Sequence, residues 1–279
     1  GIYMTLDGSK PIFNREVLAE ESFATYANPL VSEAIEHVSA LQEDADAEKL
    51  HKLRIALRRL RTLVWAYQPI LDEKFDSQQL AVLKFLAGAA GNTRDWDILI
   101  KLVEKDSDQA LLDAFMRYRK ETAEKSAGIL RSAHLDKTLR NAVSEANREL
   151  NTRPARTPLR KFARERVKTA QRQLEKRMRR ASKAGTSNYN SYHDVRKAGK
   201  KVRYLVEFFE PLLKKKQRDG LKGLKRLQKH FGALNDVVAS RDLIDAHCSS
   251  LPAGVDATPA LRALEKQQKR QIKAASKLL

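Results

Sequence analysis

The stretch HKLRIALRRLRTLVWAY, residues 51–67, combines the apolar spacing of an amphipathic helix with a high content of arginine. Its apolar residues recur at i, i+4 and i+7, which is the period of one helix face. The stretch HDVRKAGKKVRYLVEFF, residues 193–209, begins 142 residues later with the same histidine and the same spacing of cations. The two stretches therefore predict a pair of equivalent basic helices within one chain.

The similarity continues beyond these two helices. At a spacing of 141 residues, one fewer than for the two helices, LKFLAGAAGNTRD (83–95) aligns with LKRLQKHFGALND (224–236). Both segments end in Gly-x-x-x-Asp. Such an extended match indicates an internal duplication. We place the first copy at residues 14–152 and the second at 153–279, after an irregular N-terminal segment at 1–13. The paired residues of the basic helices include His51 with His193, Arg54 with Arg196, Arg61 with Arg203, Leu63 with Leu205 and Pro69 with Pro211.

The composition favours helices over sheets. Aromatic residues make up 6% of the chain, and the 11 glycines and 8 prolines are few for a chain of 279 residues. Short loops between apolar-striped helices indicate antiparallel neighbours. We predict an all-α fold of two helical bundles side by side. Helix breaks are expected between residues 89 and 95 and between 232 and 235, and one helix is expected to begin beside Pro29.

The positive charge is concentrated in the second half of the chain. Residues 1–150 carry 21 Lys and Arg against 24 Asp and Glu, whereas residues 151–279 carry 33 against 11. This excess indicates a polyanionic partner such as nucleic acid, polyphosphate or an anionic membrane surface. The sequence lacks the apolar run of about 18 residues that a membrane span requires. The single cysteine, Cys248, excludes an internal disulfide and is typical of a reducing compartment, so a cytoplasmic protein is expected.

The cations of the two repeated helices lie beside their apolar faces. At about 100° per residue, the cationic arc of the first helix borders the arc of Leu53, Leu57 and Leu60. The second helix repeats this arrangement, with Lys197 and Tyr204 next to its arc. Cations in such a position can line a groove between helices. The arcs consist of His51, Arg54, Arg58 and Arg61 in the first copy, and of His193, Arg196, Lys200 and Arg203 in the second.

Two further basic rows occur in the second copy at helical spacing. We expect these rows to converge with the repeated helices on one electropositive channel. Like charges at i, i+4 destabilise a free helix, and a bound polyanion would relieve that repulsion. The rows are Lys161, Arg164 and Lys168, and Lys222, Lys225 and Lys229.

The motifs of several enzyme classes are missing from the sequence. It contains no His-Glu-x-x-His, no paired Cys-x-x-Cys and no Gly-x-x-x-x-Gly-Lys-Ser/Thr phosphate loop. We therefore expect no metal site, no cofactor and no catalytic residue. His51 and His193 have three open interpretations: a catalytic acid, base or nucleophile, a ligand-contacting group, or a structural residue. Contact with a ligand is the preferred interpretation.

The duplicated motif His-x-x-Arg-x-x-x-(Arg/Lys)-x-x-Arg resembles that of the CHAD family, the conserved-histidine α-helical domain. HKLRIALRRLR and HDVRKAGKKVR carry the resemblance, and GNTRDWDIL and FGALNDV are similar to the segments that follow in the family. The resemblance implies two four-helix bundles, related by a pseudo-two-fold axis, around a basic cavity or surface that binds inorganic polyphosphate. It also implies a location at polyphosphate granules and association with a CYTH-type triphosphate-tunnel protein or fused domain.

The resemblance assigns the polyphosphate contacts to the two histidine-led arcs, whereas Lys197 and the two further rows are added from helical geometry. Polyphosphate has no bases, so its binding requires no aromatic platform, and the arcs contain little aromatic character besides Tyr204. The alternative is a non-specific nucleic-acid binder of RNA or DNA. The third hypothesis is a histidine-dependent phosphotransfer or phosphohydrolase enzyme. The preferred prediction is a non-enzymatic binder of polyphosphate.

Overall fold

The computed structural model describes residues 4–7, 10–13, 16–41 and 47–279. Met4–Asp7 (β1) and Lys10–Phe13 (β2) pair as an antiparallel hairpin. The expectation of an irregular segment at 1–13 is therefore wrong for these eight residues. The remainder of that segment lies outside the described residues.

Ten helices follow the hairpin in the described part of the chain, and they confirm the predicted all-α class. Short 3₁₀ turns follow α2, α3, α7 and α9. The helices are Ala19–Ala40 (α1), Ala47–Tyr67 (α2), Glu73–Val103 (α3), Gln109–Ser132 (α4), Leu135–Thr152 (α5), Leu159–Ala184 (α6), Tyr189–Phe209 (α7), Lys215–Asp219 (α8), Leu221–His247 (α9) and Thr258–Ser276 (α10).

Three local predictions about helix boundaries are wrong. Helix α3 runs through Gly91 and α9 runs through Gly232 without a break. A glycine costs only about 1 kcal/mol in a helix interior, which the apolar contacts on both sides outweigh. Pro29 lies inside α1 and not in its first turn, because buried Phe23 and Tyr26 extend the helix toward its N-terminus.

The apolar faces of the helices meet in a main core that extends through both halves of the chain. Helix α1 packs on α2 and α5, α2 on α3, and α3 on α4 in the first half. In the second half α6 packs on α7, α7 on α9, and α9 on α10. Across the halves α2 contacts α7, α3 contacts α9, and α1 contacts α6. A smaller core around Trp96 and Phe115 joins the ends of α3 and α9 to α4 and α10.

A short backbone ladder joins the starts of α1 and α6. The Ala19 N–H donates to the Thr157 carbonyl at 2.7 Å, and the Leu159 N–H donates to the Val17 carbonyl at 2.8 Å. The buried carboxylate of Glu20 accepts from the Thr157 N–H at 3.0 Å. These hydrogen bonds fix the start of the second half of the chain against the start of the first half.

The two basic helices occupy corresponding places in this arrangement. Each is followed by a 3₁₀ turn that contains a proline, Pro69 after α2 and Pro211 after α7. The helix that carries the Gly-x-x-x-Asp segment comes next in the first half, and after the short helix α8 in the second. The shared order of elements agrees with an internal duplication, which stays a prediction. No helix in the described ranges is long and apolar enough to cross a bilayer.

Candidate functional site

Four cations from the two basic helices form the central basic cluster: Arg54 and Arg58 of α2, and Arg196 and Lys200 of α7. All four side chains are half-buried. Leu53 and Leu57 of α2, and Val195 and Val202 of α7, are fully buried and fix the rotation of each helix. The cations on the adjoining arcs therefore face one another across the α2–α7 contact. The cluster unites members of both arcs predicted from the sequence.

The members of the central basic cluster disfavour one another's charge. Burial, followed by the nearby guanidinium groups of Arg196, Arg58 and Arg54, lowers the pKa of Lys200 to about 6. Burial and the neighbouring Arg54 and Arg196 lower the pKa of Arg58 to about 10. The pKa of Arg196 is also lowered, mainly by burial. The protein thus holds positive groups together at a cost in electrostatic free energy.

Two carboxylates, Asp95 of α3 and Asp236 of α9, border the cluster. They are the aspartates of the two Gly-x-x-x-Asp segments. Burial raises the pKa of both, and the opposing effect of Arg196 on each carboxylate is smaller. Among the described residues, no cation of the cluster forms an ion pair with a carboxylate. The two acids therefore moderate the positive potential without neutralising it.

The two histidines stand at the edge of the cluster, near the start of each helix. Burial lowers the pKa of both, and Arg94 beside His51 and Lys197 beside His193 lower it further. His193 also has a hydrogen bond with the Asn235 side chain, which accepts from the Tyr189 hydroxyl at 2.8 Å. Within the described part of the chain, Nδ1 of each histidine is buried without a hydrogen-bond partner. Both imidazoles are mainly neutral at pH 7, and each retains one unused polar atom.

Three further cations were predicted on or beside the two arcs: Arg61, Arg203 and Lys197. Arg203 donates from Nε to Glu207 at 2.9 Å and from Nη1 to Gln228 at 2.6 Å, so its charge is compensated inside the protein. Lys197 is exposed, 3.9 Å from Asp194. Arg61 lies close enough to Lys201 to lower its pKa.

A cation–aromatic group at the far end of α2 was missed by the sequence analysis. Lys201 Nζ lies 4.2 Å from the centre of the Trp65 ring, and Arg166 Cζ lies 4.3 Å from it. Burial, then Arg61 and Arg166, lower the pKa of Lys201 to about 8. Trp65 lies on the same face of α2 as Arg58, so its helical position could have predicted that it lies beside the basic residues.

The row on α9 extends from the cluster. At about 100° per residue, Lys222, Lys225 and Lys229 lie within about 40° of Asp236 around the helix. All three lysines are exposed. The row continues the face of α9 that carries Asp236 and borders the central basic cluster.

The row on α6 lies elsewhere. Lys161, Arg164 and Lys168 line a cleft of about 900 Å³ between α6, α8 and the start of α9. Helix α7 contributes Val202 to this cleft, and around α7 Val202 lies about 120° from Arg196 and about 160° from Lys200. Helix α7 thus separates the cleft from the central basic cluster. The expected convergence of all rows on one channel is not seen for the α6 row.

Within residues 4–7, 10–13, 16–41 and 47–279, no group of three or more His, Cys, Asp or Glu side chains is placed to hold a metal ion. Cys248 is exposed, and His247 contacts the rings of Trp96 and Tyr118.

The chain is similar to proteins of known fold. The family model described as the CHAD domain matches residues 25–245. The crystal structure of the CHAD domain from the plant Ricinus communis superposes with a TM-score of 0.76 at 23% identity, over 94% of this chain and 90% of that one. PptA from Streptomyces chartreusis superposes with a TM-score of 0.58 at 14% identity, over 93% and 95%. At these identities the two likenesses concern the fold. No curated protein matches the chain.

Proposed function

Because the chain belongs to the CHAD domain family, we propose that it binds inorganic polyphosphate, without catalysing a reaction on it, through the central basic cluster. The single observation that carries this proposal is the cluster itself. Arg54, Arg58, Arg196 and Lys200 are half-buried together and form no ion pair with a carboxylate in the described residues. A polyanion bound at the cluster would supply the compensating charge that Asp95 and Asp236 do not.

The geometry suits a linear chain of phosphates. Guanidinium groups make forked contacts to phosphate oxygens, and a lysine adds a point charge. The cluster lies between α2 and α7, and the α9 lysines continue from it, so successive phosphates would meet cations from three helices. His51 and His193 stand at the edge, where a neutral imidazole can donate to a phosphate oxygen when its N–H points outward.

The surroundings favour polyphosphate over nucleic acid. Proteins that bind single strands interleave cations with aromatic rings on which bases stack. Near the cluster, the Tyr189 hydroxyl is hydrogen-bonded to Asn235, and the ring of Trp65 is in contact with Lys201 and Arg166. These aromatic groups already have partners inside the protein. A polymer without bases needs no such platform.

The proposal extends to two consequences that the family resemblance implies. A binder of polyphosphate would be located at polyphosphate granules in the cytoplasm. Its protein partner would be a CYTH-type triphosphate-tunnel protein or fused domain. Both consequences depend on polyphosphate binding, and fluorescence co-localisation of the tagged chain with stained polyphosphate tests the first of them.

The direct test is a titration with labelled long-chain polyphosphate at about 0.15 M salt, where loose surface electrostatics are largely screened. Duplex DNA and structured RNA serve as competitors at equal phosphate concentration. Tight binding with poor competition supports a site for polyphosphate. Equal competition by RNA or DNA would overturn it in favour of a non-specific nucleic-acid binder. Release of shorter phosphate chains during the titration would show the enzyme of the third hypothesis.

A charge-matched pair of variants locates the site. Arg58→Gln combined with Lys200→Gln removes two basic groups of the cluster, both of which are charged when a polyanion is bound, and each charged hydrogen bond is worth about 1.5–3 kcal/mol. We expect affinity to fall by at least about a hundredfold. The control, Arg172→Gln combined with Lys176→Gln, removes the same charge from exposed positions of α6. Equal losses in the two double variants would show that only net charge matters.

A further inference from the structure

The cleft between α6, α8 and the start of α9 has the dimensions of a ligand site. Its volume of about 900 Å³ falls in the range of roughly 300–1,000 Å³ typical of small-molecule pockets. The lining residues of α6 run from Arg160 to Met178 along one face of the helix. Between Lys161 and Met178 this face is about 25 Å long. The cleft is therefore elongated, and α7 separates it from the central basic cluster.

One end of the cleft is cationic. The first turns of α6 and the short helix α8 surround this end, and two carboxylates, Glu16 and Glu165, offset part of its charge. None of its cations forms an ion pair with a carboxylate among the described residues. The cations at this end are Arg160, Lys161, Arg164, Lys168, Lys214 and Lys216.

The other end of the cleft is apolar. It is formed by Leu174 and Met178 of α6, Val202 of α7 and Leu224 of α9. Glu175 and Gln171 supply polar atoms at this end. Met178 is half-buried, and its unbranched thioether can adapt to a flexible ligand. A ligand that fills the whole cleft must therefore be charged at one end and apolar at the other.

The cationic wall is held in place by the backbone around it. Arg164 donates from Nε to the Leu212 carbonyl at 2.9 Å, and Gln217 Nε2 donates to the Arg164 carbonyl at 3.0 Å. The first bond ties the 3₁₀ turn after α7 to α6, the second ties α8 to α6, and together they define the width of the cleft. In addition, the first turn of α6 carries Arg160 and Lys161 and no acidic residue. Cations at the positive end of a helix dipole are unfavourable, so an anion bound at this end would be stabilised.

We propose that this cleft binds a single-chain anionic lipid, with its phosphate or carboxylate head at Lys161, Arg164 and Lys168 and its acyl chain along Leu174 and Met178. Polyphosphate has no apolar portion, and it would leave the second half of the cleft without contacts. A peptide helix is much bulkier than a 900 Å³ cleft. This lipid site is independent of the proposed binding of polyphosphate, because the two sites lie on opposite sides of α7.

The test is a calorimetric titration of the whole chain with octyl, decyl and dodecyl phosphate below their micelle-forming concentrations. Each additional CH₂ that enters the apolar end should raise the affinity by up to about fourfold. Inorganic phosphate and tripolyphosphate, which carry the head charge alone, should bind far more weakly. Equal affinity for octyl and dodecyl phosphate, or equal binding of inorganic phosphate, would overturn the proposal.

Variants separate the two ends of the cleft. Lys161→Gln with Lys168→Gln should weaken all three alkyl phosphates about equally, whereas Met178→Gln should flatten the dependence on chain length. The matched control, Arg172→Gln with Lys176→Gln, removes the same charge from α6 outside the cleft and should change neither. Far-ultraviolet circular dichroism checks that each variant is folded.

A second comparison tests independence from the central basic cluster. Arg58→Gln with Lys200→Gln should leave dodecyl phosphate binding unchanged, even when polyphosphate binding is lost. Loss of dodecyl phosphate binding in this variant, or equal losses in the cleft variant and its control, would place the lipid outside the cleft.

Discussion

The side chain of Arg54 lies directly against the backbone of Gly91. A methyl group at position 91 would stand 2.6 Å from Nε and 2.8 Å from Cδ of Arg54, closer than packed atoms approach. Gly91 lies on α3 and Arg54 on α2, so this glycine allows the guanidinium to occupy the space beside Asp95. The equivalent glycine on α9, Gly232, has open space where a methyl group would stand, with no neighbouring atom within 4 Å.

The substitution Gly91→Ala should therefore weaken polyphosphate binding by about tenfold while the chain stays folded. The arginine side chain is flexible and can move aside. The substitution therefore displaces the charge of Arg54 without disturbing the packing of the core. Binding titration and thermal unfolding measure the two effects.

Gly232→Ala is the matched control for this substitution. It should leave affinity unchanged, and the gain in helix propensity of about 1 kcal/mol should raise Tm by roughly 2–4 °C. Equal affinities of the two variants would show that the Arg54–Gly91 contact does not serve binding.

Binding of polyphosphate should weaken as pH rises above about 6. In the free protein the pKa of Lys200 is lowered to about 6, so its amine is mainly neutral at pH 7. A bound polyanion favours the ammonium form and raises this pKa, so binding takes up a proton between the free and bound pKa values. The affinity then falls by at most about tenfold per pH unit in this window.

Lys200→Arg tests this linkage, because arginine stays protonated throughout the range. Its affinity should change less between pH 6.5 and 8.5 than that of the unaltered chain. Parallel pH profiles of the two proteins would rule out Lys200 as the linked group, and the histidines, whose pKa values are also lowered, would then be examined below pH 6.5.

Lys200→Met should stabilise the free protein at pH 7. The pKa of Lys200 is about 10.5 when unfolded and about 6 when folded, so the native state binds fewer protons between these values. Stability from this group is therefore lowest at and below pH 6 and rises toward pH 10.5. We expect a gain of about 1 kcal/mol, or roughly 2–4 °C in Tm.

Thermal unfolding at pH 7 and pH 10 checks this assignment. The advantage of the methionine variant should shrink at pH 10, where the unfolded lysine begins to lose its proton. An advantage that stays constant with pH would point to packing as its cause, and a lower Tm at pH 7 would contradict the prediction.

The basic rows of α9 and α6 should differ in their importance for polyphosphate. Lys225→Gln with Lys229→Gln removes exposed cations on the face of α9 that borders the cluster, and affinity should fall several-fold. Lys161→Gln with Lys168→Gln removes the same charge behind α7, and affinity should change little at 0.15 M salt, where distant charges are screened. A larger loss from the α6 pair would mean that polyphosphate passes through the cleft.

Helical periodicity predicted the parts of the site that belong to single helices. The arcs around Arg54 and Arg196 and their position beside the apolar faces followed from residue spacing. Spacing gives no information on how far one helix is rotated against its neighbours, and for this reason the row around Arg164 was expected in the channel although it lines a separate cleft.

The roles of Gly91 and Asp95 could not be predicted from the sequence either. The alignment paired them with Gly232 and Asp236, but a glycine within a helical pattern resembles a break, and the long helix α3 continues through it. Its use as a space for Arg54 depends on the packing of α2 against α3. The pairing of Lys201 with Trp65 likewise required the contact between α2 and α7.

The backbone ladder between Leu18 and Pro158 has a consequence for how a polymer would leave the protein. It fastens the two halves at one end, and the small core around Trp96 fastens α3 to α9 at the other. Because the halves are joined at both ends, they do not separate by a hinge motion. A polyphosphate chain would then be released without separation of the halves, by breaking its contacts with the cations, and long chains, which make more contacts, would be retained longer than short ones.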